Sequence, residues 1–396
     1  MFVGGTSDPG GLQIHTADVA QAAAALGHSV AIVSGEKDNF TNIIPSDKIS
    51  FETRSRLSLE RLKRKPFRYR FIRTWAWLSL LSKYKGHDLV LCRGGFAETP
   101  ILELMIAKAL GRTVYTIEHR LWHLEWTSVL SKPRYGAVMN ACVRRVITVS
   151  TEIADIAVEE FHVATDRLRI CFNWIDPKFS PPGIDRRRDA RWRLGLPEDA
   201  TVIGYLGRLG PEKRVDVLIE AFRQHLERRR SSNPVLVIAG DGWFRREIES
   251  AAAQSGVAGR IRFVGWHSDP RDIFDALDLF VLPSLVEGFP LALMEAMACG
   301  LACLAHPMSS TLELIDNGRS GIVSDLSSAE LLGDELTRLE DAGREHRSAM
   351  GQAAAKTIAE VFSRDVRLRA VLVALDIDPG GADVPPPYAR DLEYRS

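Results

Sequence analysis

Two glutamates, Glu287 and Glu295, bracket seven residues in the run LFVLPSLVEGFPLALMEAMACG at positions 279–300. The apolar opening suits a buried strand ending at Ser284, the Glu287-Gly-Phe-Pro290 stretch suits a turn, and the remainder suits a helix closed by Gly300. Pro290 fits a first helical turn, where its missing N–H costs nothing. The amides between Gly288 and Leu291, Phe289 among them, then point out of the helix N-terminus, a ready site for phosphate. A carboxylate there is also plain compensation of the helix dipole. With one acid on the turn and the other about two helical turns on, the pair suits hydroxyl-rich groups, one for a hexose and one for a ribose. On spacing alone, a capped helix with one surface glutamate explains the residues equally well.

A second segment, Gly207-Arg-Leu-Gly-Pro-Glu-Lys213, follows an apolar run and precedes a helical one. Arg208 and Lys213 place two cations at a strand's carboxyl edge. They are suited to gripping a pyrophosphate and neutralising charge on a leaving diphosphate. A solvated basic turn is the plain alternative. Gly10-Gly11 precedes a helix beginning near Leu12, and a glycine pair lets backbone approach a ligand closely. The spacing of Gly4-Gly5 and Gly10-Gly11 is not the G-x-G-x-x-G of a dinucleotide site. Finally, Thr116-Ile-Glu-His119 marks a strand running out into a loop. A lone histidine there is usually structural, and His123 stands one helical turn further on.

Taken together and in this order, these segments resemble the retaining family-4 glycosyltransferases over nearly the whole chain. The resemblance implies the GT-B fold: an α/β protein of two Rossmann-like, doubly wound domains facing across a cleft, the first for the acceptor and the second for the donor. It implies that Arg208 and Lys213 bind the donor's phosphates and that Gly11 lies beside the diphosphate and transferred sugar. It further implies that His119 faces that sugar, Glu287 holds its hydroxyls and Glu295 holds the ribose. Gly265, in Gly265-Trp266, would lay the nucleotide base against main chain. Gly240-Asp-Gly242 and Asn173-Trp-Ile-Asp176 with Phe179 are supporting matches. Four positions depart from the pattern: Arg214 stands where a glycine usually follows the lysine, Arg120 where an aspartate follows the histidine, and Ser309 and Ser310 where two glycines stand. The last two leave the identity of the sugar open.

The implied chemistry is transfer of a hexosyl-type sugar from a UDP- or GDP-linked donor to an acceptor hydroxyl, with retained anomeric configuration. The acceptor, a glycan, lipid-linked molecule or small molecule, is not specified. Two cations and a helix dipole can do the work of a metal ion, so no metal or other cofactor is expected. No Asp-x-Asp occupies a suitable cleft position, and no carboxylate nucleophile is evident in the first domain. The first fits the absence of a metal, and the second fits attack on the face from which the leaving group departs. Two other classes stay open: a nucleotide-sugar epimerase or hydrolase on the same fold, and a degenerate binding protein.

The elements that must position these residues alternate between short apolar runs and amphipathic stretches, the pattern of βα units and a parallel sheet. Strands are expected at 29–34, 88–92, 113–117, 146–149 and 168–171, with helices at 12–26, 99–110 and 151–161. In the second half strands are expected at 202–206, 235–239, 261–264, 279–282, 302–305 and 321–323. Helices there fall at 215–228, 245–254, 273–276, 291–297 and 329–339. Gly27 sits where a helix C-cap glycine belongs. Met1-Phe-Val3 resembles the end of a buried strand, so either the start is misassigned or the strand is short. The expected domains are 1–176 and 177–362, with a proline-rich hinge at 173–183. A helix at 363–378 would cross back to the first domain, and 379–396 would be a disordered tail.

Composition fits this organisation. A chain of 396 residues is too long for one core. Its 45% hydrophobic and 26% charged residues are ordinary for a globular protein. A formal net charge of zero offers no global field to a nucleic-acid partner, and none is expected. Five scattered cysteines suit a reducing, cytoplasmic setting, and no stretch of about 20 apolar residues spans a membrane. One segment stands apart: positions 54–73 carry nine Arg or Lys against one Glu, with Trp75 and Trp77 following. That suits peripheral contact with the inner face of a cell membrane, or a solvated loop followed by a buried helix. The second is favoured because Trp75, Leu78 and Leu81 fall on one core-like face.

Overall fold

Short runs rich in Val, Ile and Leu form parallel strands, most of them buried along their length, as expected where helices cover both sides of a sheet. The computed structural model describes residues 2–4, 11–34, 49–53, 66–93, 101–119, 131–229, 233–267 and 269–380. The chain divides into two compact units, Met1–Trp174 with Asp365–Ser396, and Ile175–Arg364.

In unit 1 the strands are β1 (Phe2–Gly4), β2 (Val30–Ser34), β3 (Ile49–Thr53), β4 (Leu89–Arg93), β5 (Val114–Glu118), β6 (Arg145–Thr148) and β7 (Leu168–Ile170). They lie in the order β3-β2-β1-β4-β5-β6-β7, all parallel. Although only three residues long, β1 is central and pairs with both β2 and β4. The helices are α1 (Gly11–Ala25), α2 (Pro66–Lys83), α3 (Ile101–Ala109), α4 (Lys132–Cys142) and α5 (Thr151–Glu159). Gly27 ends α1 in the left-handed region at φ 89°, and His28 N donates back to Ala23 O at 3.1 Å.

In unit 2 the first helix is α6 (Ile184–Arg193). The strands are β8 (Val202–Leu206), β9 (Val235–Ala239), β10 (Ile261–Gly265), β11 (Leu279–Leu282), β12 (Ala302–Ala305) and β13 (Ile322–Val323). Their order, β10-β9-β8-β11-β12-β13, is that of a doubly wound nucleotide-binding sheet. The covering helices are α7 (Val215–Arg228), α8 (Arg245–Gln254), α9 (Arg271–Ala276), α10 (Leu291–Ala298), α11 (Ser309–Leu314), α12 (Ala329–Asp341) and α13 (Gly343–Val361). Tyr205, Phe222, Ile238 and Leu304 are buried in one core cluster with the inward faces of α7 and α12. The last helix, α14 (Arg364–Ala374), belongs to unit 1 from Asp365 onward; just beyond it Asp376 accepts from Tyr115 Oη at 2.9 Å and pairs with Arg145 at 2.6 Å.

Strands of the second half fall within a residue of their expected positions. Elements the sequence did not reveal are β3, α4, α6, α11 and α13. The expected core-like face of α2 is corrected. Trp75 is 76% exposed and Leu78 40% exposed, whereas Ala76, Trp77, Leu80 and Leu81 are buried. Trp77, not Trp75, turns inward and donates Nε1–H to Glu103 O at 3.3 Å. A three-residue spacing links Trp75 to Leu78, but the buried stripe runs through 76, 77, 80 and 81. The basic segment at 54–65 and the tail from 381 lie outside the described residues.

Candidate functional site

Strand order in unit 2 reverses between β8 and β11, and loops leaving the carboxyl ends of these strands bound the crevice where such sheets hold ligands. The loop after β8 carries Arg208 and Lys213; the loop after β11 carries Glu287. Leu285 N donates to Glu212 O at 3.0 Å, tying the two loops together. Lys213 Nζ stands 2.6 Å from Glu287 Oε1 and 3.3 Å from the Val286 carbonyl. Arg214 in the left-handed region, φ 54°, turns the chain from this loop into α7. Arg208 pairs with Glu212 at 2.8 Å and is otherwise open to solvent.

Two glycine motifs lock the Arg208 loop in place. Gly207 N donates to Ala239 O at 3.1 Å and Leu209 N to Asp241 O at 2.9 Å. A Cβ on Gly240, φ 131°, would sit 1.8 Å from Gly207 O, and one on Gly242 would sit 2.2 Å from Leu209 O. Only glycine allows so close an approach. Beneath the loop, Tyr205 Oη donates to Arg208 O at 2.9 Å. Burial, with Glu287 and Glu212 nearby, holds that phenol well above its ordinary range.

Helix α10 opens directly after Glu287. Gly288 and Phe289 lead to Pro290, the N-cap, and Leu291 begins the helix. Its first amides have no carbonyl a turn earlier within the helix, so they face outward as donors. Phe289 is buried and packs its ring 5.9 Å from Phe362. Glu295 lies one turn into α10, partly buried. Burial pushes its carboxyl up to about 8, with Lys178 opposing and Asp269 and Asp176 adding to the rise. Gly265 closes β10 at φ 73°, after an irregularity in pairing with β9, and its carbonyl accepts Gly240 N at 2.7 Å. Ser309 and Ser310 open α11; Ser309 Oγ reaches Glu313 at 3.4 Å. Ser310 Oγ is buried without a hydrogen-bond partner among the described residues.

Unit 1 holds the other candidates. Gly11 is the first residue of α1, and His119 immediately follows β5. Here the structure supplies a residue that the sequence did not flag. His15, on α1 and 5% exposed, stacks on Trp174 with centroids 4.0 Å apart and meets the His119 ring at 4.7 Å, 80° between planes. Trp174 Nε1 donates to Asp18 Oδ2 at 2.8 Å. Neither His15 ring nitrogen has a hydrogen-bond partner among the described residues, and burial pushes its pKa down to about 3. The available signal was a histidine on the inward face of the helix after Gly10-Gly11. Gly10, Arg120 and His123 lie outside the described residues.

The structure thus brings Lys213 and Glu287 into contact and places Arg208 on the loop that carries Lys213, with the α10 N-terminus directly after Glu287. Separately, it sets His119 against His15. Among the described residues, no group of three or more His, Cys, Asp or Glu could hold a metal ion, and no helix is long and apolar enough to cross a membrane.

Residues 9–179 match the model of Glycosyltransferase Family 4, and residues 186–357 that of Glycosyl transferases group 1. The Escherichia coli UDP-Gal:alpha-D-GlcNAc-diphosphoundecaprenol alpha-1,3-galactosyltransferase is 29% identical over 201 residues, 50% of this chain and 52% of that protein. An uncharacterized glycosyltransferase of Methanocaldococcus jannaschii is 25% identical over 335 residues, 79% of this chain and 80% of that protein. The chain spans about half the length of most of the curated relatives it matches. The crystal structure of Anabaena HepE in complex with UDP superposes with a TM-score of 0.78 at 17% identity, covering 95% of this chain and 98% of that one. The fold is therefore GT-B.

Proposed function

The chain belongs to the glycosyltransferases of group 1 and family 4, and on that footing we propose that it moves a hexosyl-type sugar from a UDP- or GDP-linked donor to an acceptor hydroxyl, retaining the anomeric configuration. The observation that carries this proposal is the Lys213–Glu287 pair at the β8/β11 switch point, beside the opening of α10. A diphosphate here would meet Lys213, Arg208 and outward amides at the helix N-terminus as donors, beside the carboxylates of Glu287 and Glu212 that pair with the two cations. Charge on the departing diphosphate is neutralised by groups already in place, so the leaving step needs no metal ion. Glu287, next to the phosphates, accepts from sugar hydroxyls, and Glu295 from the ribose. Gly265 supplies main chain beside the base. In unit 1, Gly11 and His119 serve the sugar and acceptor. UDP in HepE and the UDP-galactose of the E. coli relative's name favour a uridine donor.

Exposure of Trp75 and Leu78, one turn apart on α2, supports peripheral contact with an anionic membrane surface at its inner face, the cations of 54–73 lying just before them in sequence. That placement favours a lipid-linked acceptor, in glycolipid or surface-polysaccharide synthesis.

A thermal-shift screen of UDP, GDP, UDP-glucose, UDP-galactose, UDP-N-acetylglucosamine and GDP-mannose tests the donor assignment. One nucleotide family is expected to raise Tm by several degrees in wild type and not in Lys213→Ala. If none of the six shifts the wild-type transition, the proposal fails. The anomeric configuration of product, read by NMR, decides retention.

A further inference from the structure

His15 occupies a slot where an aromatic hydrocarbon would pack as well and desolvate nothing. Its ring lies against Trp174 at 4.0 Å and meets His119 at 4.7 Å, and it is 95% removed from solvent. Both ring nitrogens are buried with no partner among the described residues, an arrangement that costs stability. Phenylalanine would fill the same space without that cost. A histidine in this position offers what phenylalanine would not, two ring nitrogens set against the His119 ring.

The surroundings indicate the use of those nitrogens. Trp174, the support on which His15 stacks, is fixed by its hydrogen bond to Asp18, one turn from His15 on α1. Three pieces of chain converge: the start of α1, the end of β5 and the segment beyond β7. With centroids 4.7 Å apart and ring planes near perpendicular, a modest tilt of either imidazole turns edge contact into an N–H···N hydrogen bond. Such a bond decides which His119 nitrogen carries the proton.

We propose that His15 is a positioning residue for His119, fixing the plane and tautomer of that ring for sugar transfer. This inference rests on the transferase function proposed above, but its decisive measurement does not require turnover.

Histidine-selective 13C labelling, with the His119 signals identified through His119→Gln, reads that ring directly. In His15→Phe the His119 ring signals are expected to move or broaden, while Tm equals or exceeds that of wild type. In UDP release from UDP-glucose, His15→Phe is expected to lower kcat about tenfold or more and leave KM within about twofold, the signature of an interaction made in the transition state. His15→Gln, which returns a hydrogen-bonding nitrogen, is expected to recover part of the loss. In a His119→Ala background, His15→Phe should add no further loss, since coupled residues are not additive. Unchanged His119 signals overturn the inference, as do a kcat within about twofold of wild type, multiplying losses in the double variant, or a fall in Tm that tracks the loss of activity. A wild type inert toward UDP-glucose and the other donors screened fails the transferase function instead, and the NMR measurement still decides the role of His15.

Discussion

Lys213 Nζ stands 2.6 Å from Glu287 Oε1 because β8 and β11 flank the reversal of strand order, which brings two sequence-distant loops to one spot. The pair is mostly shielded from solvent, so each charge depends on the other. Their proposed roles differ, and substitutions separate them. Lys213→Ala removes a phosphate donor and should weaken UDP binding as well as lower kcat by about 10²–10³-fold. Glu287→Gln removes a negative charge beside the phosphates, so UDP should bind as tightly or more tightly while transfer falls. Calorimetric UDP titration beside a turnover assay checks the split. Equal loss of UDP affinity in both variants would sink the division of roles.

Glu295 predicts a pH dependence whose sign is fixed. Its carboxyl is pushed up to about 8 by burial, far above the usual value near 4.3 for an unfolded glutamate. Between those values the folded state holds more protons than the unfolded one, so stability falls as pH rises through that window. Glu295→Gln cannot ionise and should lose less Tm between pH 5 and 9 than wild type. A ribose binds the carboxylate better than the acid, so wild-type UDP affinity should climb as pH approaches 9. The variant should show no such climb. Identical pH profiles for the two proteins would remove Glu295 from the ribose site.

Gly240 tests whether the Arg208 loop depends on its close approach to the β9 loop. An added Cβ would sit 1.8 Å from Gly207 O at φ 131°, so backbone must move. Gly240→Ala should lower both the denaturant midpoint and UDP affinity, since the displaced loop carries Arg208. Gly256→Ala, at φ 76° with open space around it, pays only the left-handed penalty of about 1–2 kcal/mol and should leave UDP affinity alone. Equal effects from the two changes would show that the loops can separate freely.

The motifs of unit 2 were legible because they are local: Glu287-Gly-Phe-Pro290, Arg208 and Lys213 each lie between a strand and the helix that follows it, as the sequence pattern led one to expect. Gly240 and Gly242 were visible only as a supporting match, and the reason only glycine fits them is the backbone of Gly207 and Leu209, which no local pattern contains. His15 was missed for the same reason, since its partners lie on β5's exit and beyond β7. Among elements, α6 was hidden by its composition, five arginines in ten residues, which reads as a solvated loop rather than a packed helix. Trp75 erred in the opposite direction, a large apolar side chain read as core.

That exposed Trp75 carries its own prediction. Trp75 and Leu78 should enter the headgroup region of anionic vesicles, strengthened by cations from positions 54–73. In sedimentation with phosphatidylglycerol-containing vesicles, wild type should bind and Trp75→Ala with Leu78→Ser should bind several-fold less. Raised salt should weaken binding of both through screening. If the double variant sediments as wild type does, this face of α2 is not the membrane contact.

Arg191 anchors unit 2 from beneath the site. Its side chain is 5% exposed and donates to Asp278 Oδ2 at 2.6 Å and to the carbonyls of Ala276, Glu198 and Ala200 at 3.1, 2.7 and 3.0 Å. The same Asp278 oxygen accepts Val202 N at 2.8 Å, at the start of β8, and Arg187 pairs with the other oxygen. One guanidinium thus ties α6 to the entry of β8 and β11, the two strands whose far ends hold Lys213 and Glu287. Asp278 keeps Arg187 when Arg191 is removed, but the carbonyls of Ala276, Glu198 and Ala200 lose their donor, so Arg191→Ala should cost about 2–3 kcal/mol. Arg193→Ala breaks only the exposed pair with Asp272 and should cost under about 1 kcal/mol. Urea unfolding measures both. Because Arg191 touches no residue proposed to hold the donor, UDP affinity measured without denaturant should be unchanged wherever the variant is fully folded. A folded Arg191→Ala protein with weakened UDP binding would mean that the anchor also sets the geometry of the β8 and β11 loops.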